Sequence, residues 1–321
     1  MDHPAYEQPG LAGGATNRRA RAKGANMRIV IVGGAGQLGR AIARRAEAIA
    51  PEARVVALGR EQVDVASLDA VAALQALRPD VVVNAAAMTD VDGCERDPDA
   101  AFRANALGAR NVALGAERAG AALVQVSTDY VFDGAKGAPY WEFDAPSPIS
   151  AYGASKLAGE DLARQGCSRT FVVRTAWLYG LGGRSFVTRI VELAAERDEL
   201  SVVDNEVGNP TFCDDLADAL LALVSTGAFG TYHLVNRGHC SRFALARAVL
   251  DRAGRPGFPL RAVDHFPRAA RPPAFAPLRN FAAAELGIDL PAWEDGLDRF
   301  VARGGLAKVA AAAVAPGVGA G

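Results

Sequence analysis

From residue 27 onward the chain alternates short uninterrupted apolar runs with longer stretches in which Ala and Leu recur at helical spacing. The apolar runs predict strands over 28–32, 54–58, 80–84, 122–127 and 170–175, and the stretches between them predict helices over 37–50, 67–77, 98–119 and 151–165. Runs such as Ile29-Val30-Ile31-Val32 and Val81-Val82-Val83 offer no polar face, as expected of strands covered on both sides. Strand–helix alternation of this kind implies an α/β fold, a Rossmann-type doubly wound parallel sheet. Past Gly180 the pattern changes to helices broken by Asn209-Pro210 and by the Pro-rich segments 256–259 and 267–277, which suits a smaller, mostly helical substrate region. The expected division is a disordered extension over 1–26, a dinucleotide-binding domain over 27–180 to which part of the later chain returns, a substrate-binding region over 181–304 and a flexible tail over 305–321.

Composition narrows the class. Half of the 321 residues are apolar, enough to bury a core for one large or two modest domains. A formal net charge of −1 provides no bulk field for nucleic acid or an anionic membrane, so neither partner is expected. Cys94, Cys167, Cys213 and Cys240 are scattered, without a C-x-x-C pair or zinc spacing. They read as reduced thiols of a cytoplasmic protein with no metal site. No apolar run reaches membrane-spanning length. Residues 1–26 carry Arg18, Arg19, Arg21 and Lys23 without an apolar core, which does not make a secretory signal, and Asp2 and Glu7 count against a mitochondrial presequence.

Two motifs carry chemistry. Gly33-Gly34-Ala35-Gly36-Gln37-Leu38-Gly39 follows the first strand and opens the first helix. Glycines there permit a tight turn and a close approach to a pyrophosphate, which then faces a helix N-terminus. The second strand ends Leu58-Gly59-Arg60, with the acid displaced to Glu61. An acid at the strand end would take the ribose 2′-hydroxyl of NAD, whereas the Arg60 guanidinium suits the 2′-phosphate of NADP; NADPH is the expected cofactor and NADH the alternative. The second motif is Tyr152-Gly153-Ala154-Ser155-Lys156, just after Pro146 and Pro148. On a helix, positions four apart share a face. A phenol with a pKa of about 10 is a poor acid or base near neutrality. A neighbouring cation is expected to lower that pKa. Only four lysines occur, Lys23, Lys136, Lys156 and Lys308, so a lysine at 156 stands out against the arginine-rich background.

Taken together, these residues resemble an extended short-chain dehydrogenase/reductase and, more narrowly, the dTDP-4-dehydrorhamnose reductase family, from about Arg28 to Val301. The narrower resemblance rests on Gly36-Gln37-Leu38-Gly39, Asp64-Val65, the block from Asn84 to Asp92, Ser127-Thr128-Asp129-Tyr130-Val131-Phe132-Asp133-Gly134, Arg174-Thr175-Ala176-Trp177-Leu178-Tyr179-Gly180 and Val207-Gly208-Asn209-Pro210-Thr211, in that order. It implies Tyr152 as general acid, Lys156 as holder of the nicotinamide ribose, and Thr128 as a hydrogen-bond partner of the substrate carbonyl. Gly33, Gly36, Gln37, Leu38, Gly39, Arg60, Asp64, Val65, Ala85, Ala86 and Ala87, with Tyr152 and Lys156, would bind the cofactor. Thr89, Val91, Thr128, Asp129, Tyr130 and Trp177 would line a sugar pocket.

The implied activity is reduction of the 4-keto group of a nucleotide-linked 6-deoxyhexose, dTDP-4-dehydro-β-L-rhamnose first, with a homodimer as the expected assembly. A 4-ketoreductase for another deoxysugar is one alternative. A non-catalytic NADP-binding regulatory subunit, similar to that of methionine adenosyltransferase, is the other. Dehydratases of related sugars carry Thr-Asp-Glu where this chain has Thr128-Asp129-Tyr130, which favours reduction over water loss. Two segments depart from the family pattern: 271–278 lacks its Asn-Ser pair, and Glu206 stands where Gln is more usual.

Overall fold

Alternate side chains of a strand face opposite sides of its sheet, so a strand apolar at every position needs cover on both faces. The computed structural model describes residues 27–306, and the expected extension over 1–26 and the tail beyond 306 lie outside the described residues. Strands β1 (Arg28–Val32), β2 (Arg54–Leu58), β3 (Val81–Asn84), β4 (Ala122–Thr128) and β5 (Thr170–Thr175) fall within a residue of the expected bounds. Between them lie α1 (Gln37–Ile49), α2 (Asp69–Leu77), α3 (Val91–Arg96), α4 (Pro98–Phe102), α5 (Gly108–Ala119) and α6 (Ala151–Gly166).

The later chain runs through β6 (Leu178–Tyr179), α7 (Phe186–Glu196), β7 (Leu200–Val203), β8 (Val207–Gly208) and β9 (Thr211–Phe212) to α8 (Cys213–Thr226). It continues as β10 (Gly230–His233), β11 (Cys240–Ser241), α9 (Arg242–Arg252), β12 (Leu260–Val263), α10 (Phe281–Ala284) and α11 (Trp293–Ala302).

Six strands form one parallel sheet in the order β10-β5-β4-β3-β1-β2. Ile29 and Ile31 face one layer, with Leu38 and Ile42 of α1 and Leu216 and Leu220 of α8. Val30 and Val32 face the other, with Leu74 of α2, Val112 and Ala116 of α5, and Ala163 of α6. Both α8 and β10 thus come back from the later chain to complete the sheet and one of its covers. A separate apolar cluster joins Val187 and Ile190 of α7, Leu245 and Val249 of α9, and Leu297 and Phe300 of α11.

The helix expected over 98–119 is interrupted by a π-helical turn at Arg103–Leu107. The wider turn aims Asn105 inward, where its Nδ2 donates to Met88 O at 3.1 Å and Ser155 Oγ at 3.0 Å, and its Oδ1 accepts from Met88 N at 2.8 Å. Gly159 lets α6 close on this turn, since a Cβ there would lie 2.2 Å from Asn105 O. One side chain therefore ties the segment after β3 to the helix carrying Tyr152 and Lys156.

Candidate functional site

Strand order reverses at β1, which has β2 on one side and β3 on the other. Connections leaving the carboxyl ends of β1 and β3 diverge at such a point and leave a crevice. Two adjoining cavities occupy it, of about 470 Å³ and about 610 Å³, sharing Gly36, Ala85 and Ala87. Gly33, Arg60, Asp64, Val65 and Ala86 line the smaller one. Gln37, Leu38, Gly39, Thr89, Val91, Thr128, Asp129, Tyr130, Tyr152, Lys156 and Trp177 line the larger. The candidate catalytic, cofactor-binding and substrate-binding residues therefore all line these two adjoining cavities.

The glycine turn has the shape that a dinucleotide requires. Gly33 has φ +78°, and a Cβ there would lie 2.6 Å from Ala86 N; one on Gly39 would lie 2.4 Å from Gly33 O. These two glycines close the turn. Gly36 differs: a Cβ on it would meet only Gly33 O, at 3.2 Å, so its outer side is open to a ligand. It also caps α1 without a side-chain hydrogen bond, which leaves first-turn N–H groups to a phosphate. At the rim of the smaller cavity the Arg60 side chain is 88% exposed and 3.8 Å from Asp64. Arg103, which the sequence did not single out, lines the same space.

In the larger cavity, α6 is set by its first turn. Ser150 Oγ accepts from Gly153 N at 3.1 Å, and Glu95 Oε1 accepts from Ala151 N at 2.6 Å. A Cβ on Gly153 would lie 2.1 Å from Tyr130 O, so only glycine lets α6 approach this closely. The rings of Tyr152 and Tyr130 then meet edge to face, with centroids 5.4 Å apart.

Lys156 departs from the expectation that it lowers the Tyr152 pKa. Its Nζ donates to Val126 O at 2.6 Å. Burial pushes the Tyr152 phenol well above its ordinary value, with a Thr128 hydrogen bond acting the other way. Desolvation thus outweighs any cationic pull on the phenol in this arrangement. Burial likewise draws Lys156 down to about 8, opposed by Glu160 one turn on. Glu160 is itself buried and accepts from Arg174 at 2.9 and 2.8 Å and from Ser127 at 2.6 Å. Desolvation opposes its ionisation, but the Arg174 and Ser127 bonds prevail and hold it below the usual carboxylate range.

Thr128 Oγ1 donates to Asp129 Oδ1 at 2.8 Å and accepts from Tyr130 N at 3.2 Å. Burial raises Asp129 to about 6, against the pull of Thr128 and Arg242.

The far wall holds residues that the sequence reading missed. Arg242 lies over the Trp177 ring, 3.5 Å from its centroid. Trp177 has φ +45°, and a Cβ on Gly208 would lie 2.5 Å from its Cε2, so backbone and neighbour together fix the indole. Glu206, flagged as a departure, is buried and pairs with Arg268. At the mouth, Arg40 Nη2 donates to Gly182 O at 2.8 Å, and Gln37 Nε2 donates to Arg184 O. With arginine so common in the chain, these arginines carried no signal of their own. Among the described residues, no group of three or more His, Cys, Asp or Glu side chains could hold a metal ion.

The family model for the RmlD substrate binding domain matches residues 27–305. A dTDP-4-dehydrorhamnose reductase from Mycobacterium tuberculosis is 41% identical over 285 residues, covering 85% of this chain and 92% of that protein. The crystal structure of a dTDP-4-dehydrorhamnose reductase from Bacillus anthracis in complex with NADP superposes with a TM-score of 0.83 at 37% identity, covering 87% of this chain and 99% of the other. One from Clostridium acetobutylicum gives 0.81 at 36% identity, covering 86% and 99%. On the length and level of this similarity, the chain belongs to the dTDP-4-dehydrorhamnose reductase family.

Proposed function

We infer that the protein is an NADPH-dependent reductase of the 4-keto group of a dTDP-4-dehydro-6-deoxyhexose, with dTDP-4-dehydro-β-L-rhamnose converted to dTDP-β-L-rhamnose. The observation that carries this reading is the meeting of Tyr152, Lys156 and Thr128 in a cavity continuous with the glycine turn. Bound NADPH supplies the hydride and the protein supplies its placement. The open side of Gly36 and the start of α1 would hold the phosphates, Asp64 and Val65 the adenosine end, and Arg60 the 2′-phosphate. Lys156 would hold the nicotinamide ribose.

As the carbonyl carbon is reduced, charge develops on its oxygen, and an aimed O–H donor stabilises it. Burial holds Tyr152 protonated but moves its pKa further from neutral pH, so the phenol would act through its placement against the developing charge rather than through a matched pKa. Thr89, Val91, Tyr130 and Trp177 would enclose the sugar, and Thr128 would orient the reacting oxygen. Tyr130 occupies the place where a glutamate would be needed for elimination, so the site lacks the carboxyl pair for water loss.

Glu206, which stands where Gln is more usual and pairs with Arg268, favours a second reading, a reductase for a related dTDP-deoxysugar. A non-catalytic regulatory subunit makes no demand for the Tyr152–Lys156 pair, and both are in place. No described helix is long and apolar enough to cross a membrane. The reading places the enzyme in the cytoplasm as a homodimer. The test supplies dTDP-4-dehydro-β-L-rhamnose with NADPH or NADH and identifies the product. One NADPH consumed per dTDP-β-L-rhamnose formed is expected. No turnover of any dTDP-4-keto sugar would rule the reductase out.

A further inference from the structure

Arg242 opens α9 and enters the wall of the cavity that Tyr152 and Thr128 share. Its guanidinium is stacked on Trp177 and lies 5.0 Å from the centroid of Phe186. Stacking of this kind fixes the plane of the group and leaves its edge, where the five N–H donors point, unused. Glu206 Oε2 is 3.8 Å from Nε, too far for a hydrogen bond, and Glu206 Oε1 is taken by Arg268. Among the described residues the Arg242 side chain donates no hydrogen bond. The Arg242 side chain is 16% exposed and lines the cavity with its donors unused, an arrangement that suits an anionic ligand there. Burial depresses its pKa, while Tyr130, Glu206 and Asp129 oppose the shift.

The anion does not belong to the cofactor. The cofactor phosphates have their own seat at Gly36 and the start of α1, in the sheet domain. Arg242 comes from the other half of the molecule and sits with Trp177, Tyr130 and Asp129. Arg268 is paired with Glu206, whereas Arg242 feels both Asp129 and Glu206 but has no hydrogen-bonded carboxylate of its own. The reacting ketone and the sugar hydroxyls are neutral, so the charged part of the substrate is its diphosphate. Building on the reductase reading above, we propose that Arg242 binds the diphosphate of the nucleotide-sugar substrate. Trp177 holds the guanidinium flat, and Glu206, shared with Arg268, keeps it against the wall.

The test compares the full-length protein with Arg242→Gln and Arg242→Lys, using calorimetry with dTDP, dTMP, thymidine and NADPH, and steady-state kinetics with the 4-keto sugar. Arg242→Gln should weaken dTDP binding by about 10²-fold, the scale for losing one partner of a buried charged pair. Thymidine and NADPH should bind as before, and the loss in turnover should appear in KM rather than kcat. Arg242→Lys keeps the charge without the fork of donors and should fall between the two. Equal dTDP affinity in the wild type and Arg242→Gln overturns the proposal, as does a parallel fall for thymidine and NADPH, which marks general damage to the cleft. A wild-type protein that turns over the sugar while Arg242→Gln is unaffected sinks this inference alone. A wild type that neither binds dTDP nor reduces the sugar sinks the reductase reading with it.

Discussion

At the scale of single residues, burial decides where protons sit. Tyr152 is protonated at neutral pH as any phenol is, and desolvation of the phenolate strengthens that preference, so the proposed acid holds its proton before the reaction. Tyr152→Phe removes that proton and nothing else in the cleft. We expect kcat to fall by roughly 10²–10⁴, the usual cost of a lost general acid, with NADPH affinity by calorimetry retained. Asp129 offers a test in stability. Burial raises its carboxyl from the ordinary 3.8 to about 6 in the fold. The native state therefore binds more protons than the unfolded chain between those values. Stability falls as pH rises through that window, and the cost is complete above it. Asp129→Asn should raise the melting temperature at neutral pH, with the gain shrinking toward zero below about pH 4; an equal gain at both pH values would contradict the account. The catalytic pair was legible in the sequence because four-residue spacing on a helix fixes a shared face. The direction of the Tyr152 shift was not, because it depends on how completely the fold excludes water. Arg242 was equally hidden, since its place beside Trp177 arises only when α9 packs back on the 175–179 segment.

At the scale of elements, α6 is positioned by the absence of a side chain. Gly153→Ala would place a methyl 2.1 Å from the Tyr130 carbonyl, and neither backbone can yield without moving Tyr152 or the end of β4. Overpacking of this kind costs about 1–3 kcal/mol. Gly153→Ala should therefore melt lower and lose kcat, whereas Ala154→Gly on the same helix should soften it without displacing the tyrosine. Equal kcat in wild type and Gly153→Ala would show that α6 has room that the packing denies. The five leading strands were legible because runs of Ile and Val with no polar face can satisfy themselves only in a covered sheet. The π turn at Arg103–Leu107 was not, because Arg-Ala-Asn-Ala-Leu suits an α-helix equally well and only the bonds of Asn105 to Met88 and Ser155 select the wider turn. Strand β10 was hidden for a related reason. Thr231 and Tyr232 favour a strand, but the run Gly230-Thr231-Tyr232-His233 is short and opens on a glycine, so its place in the sheet comes from pairing with β5.

At the scale of the whole molecule, the cleft exists because strand order reverses at β1 while α8 and β10 return from the later chain to finish the sheet. A ligand that binds only the folded cleft stabilises it by about 2.7 kcal/mol at a hundred times its Kd. At equal concentration NADPH should therefore raise the melting temperature more than NADH. Arg60→Asp, which removes the guanidinium at the rim and adds an acceptor for a ribose hydroxyl, should narrow or reverse that difference. An unchanged difference would place the 2′-phosphate elsewhere, with Arg103 the next candidate on the same rim. The central claim is net reduction at the sugar, and isotope transfer tests it most directly. With NADPH deuterated on the transferred face and dTDP-4-dehydro-β-L-rhamnose as substrate, deuterium should appear at C4 of the product sugar, one atom per cofactor oxidised. Deuterium that stays on the nicotinamide, or a cofactor regenerated while dTDP-glucose loses water, would contradict the account.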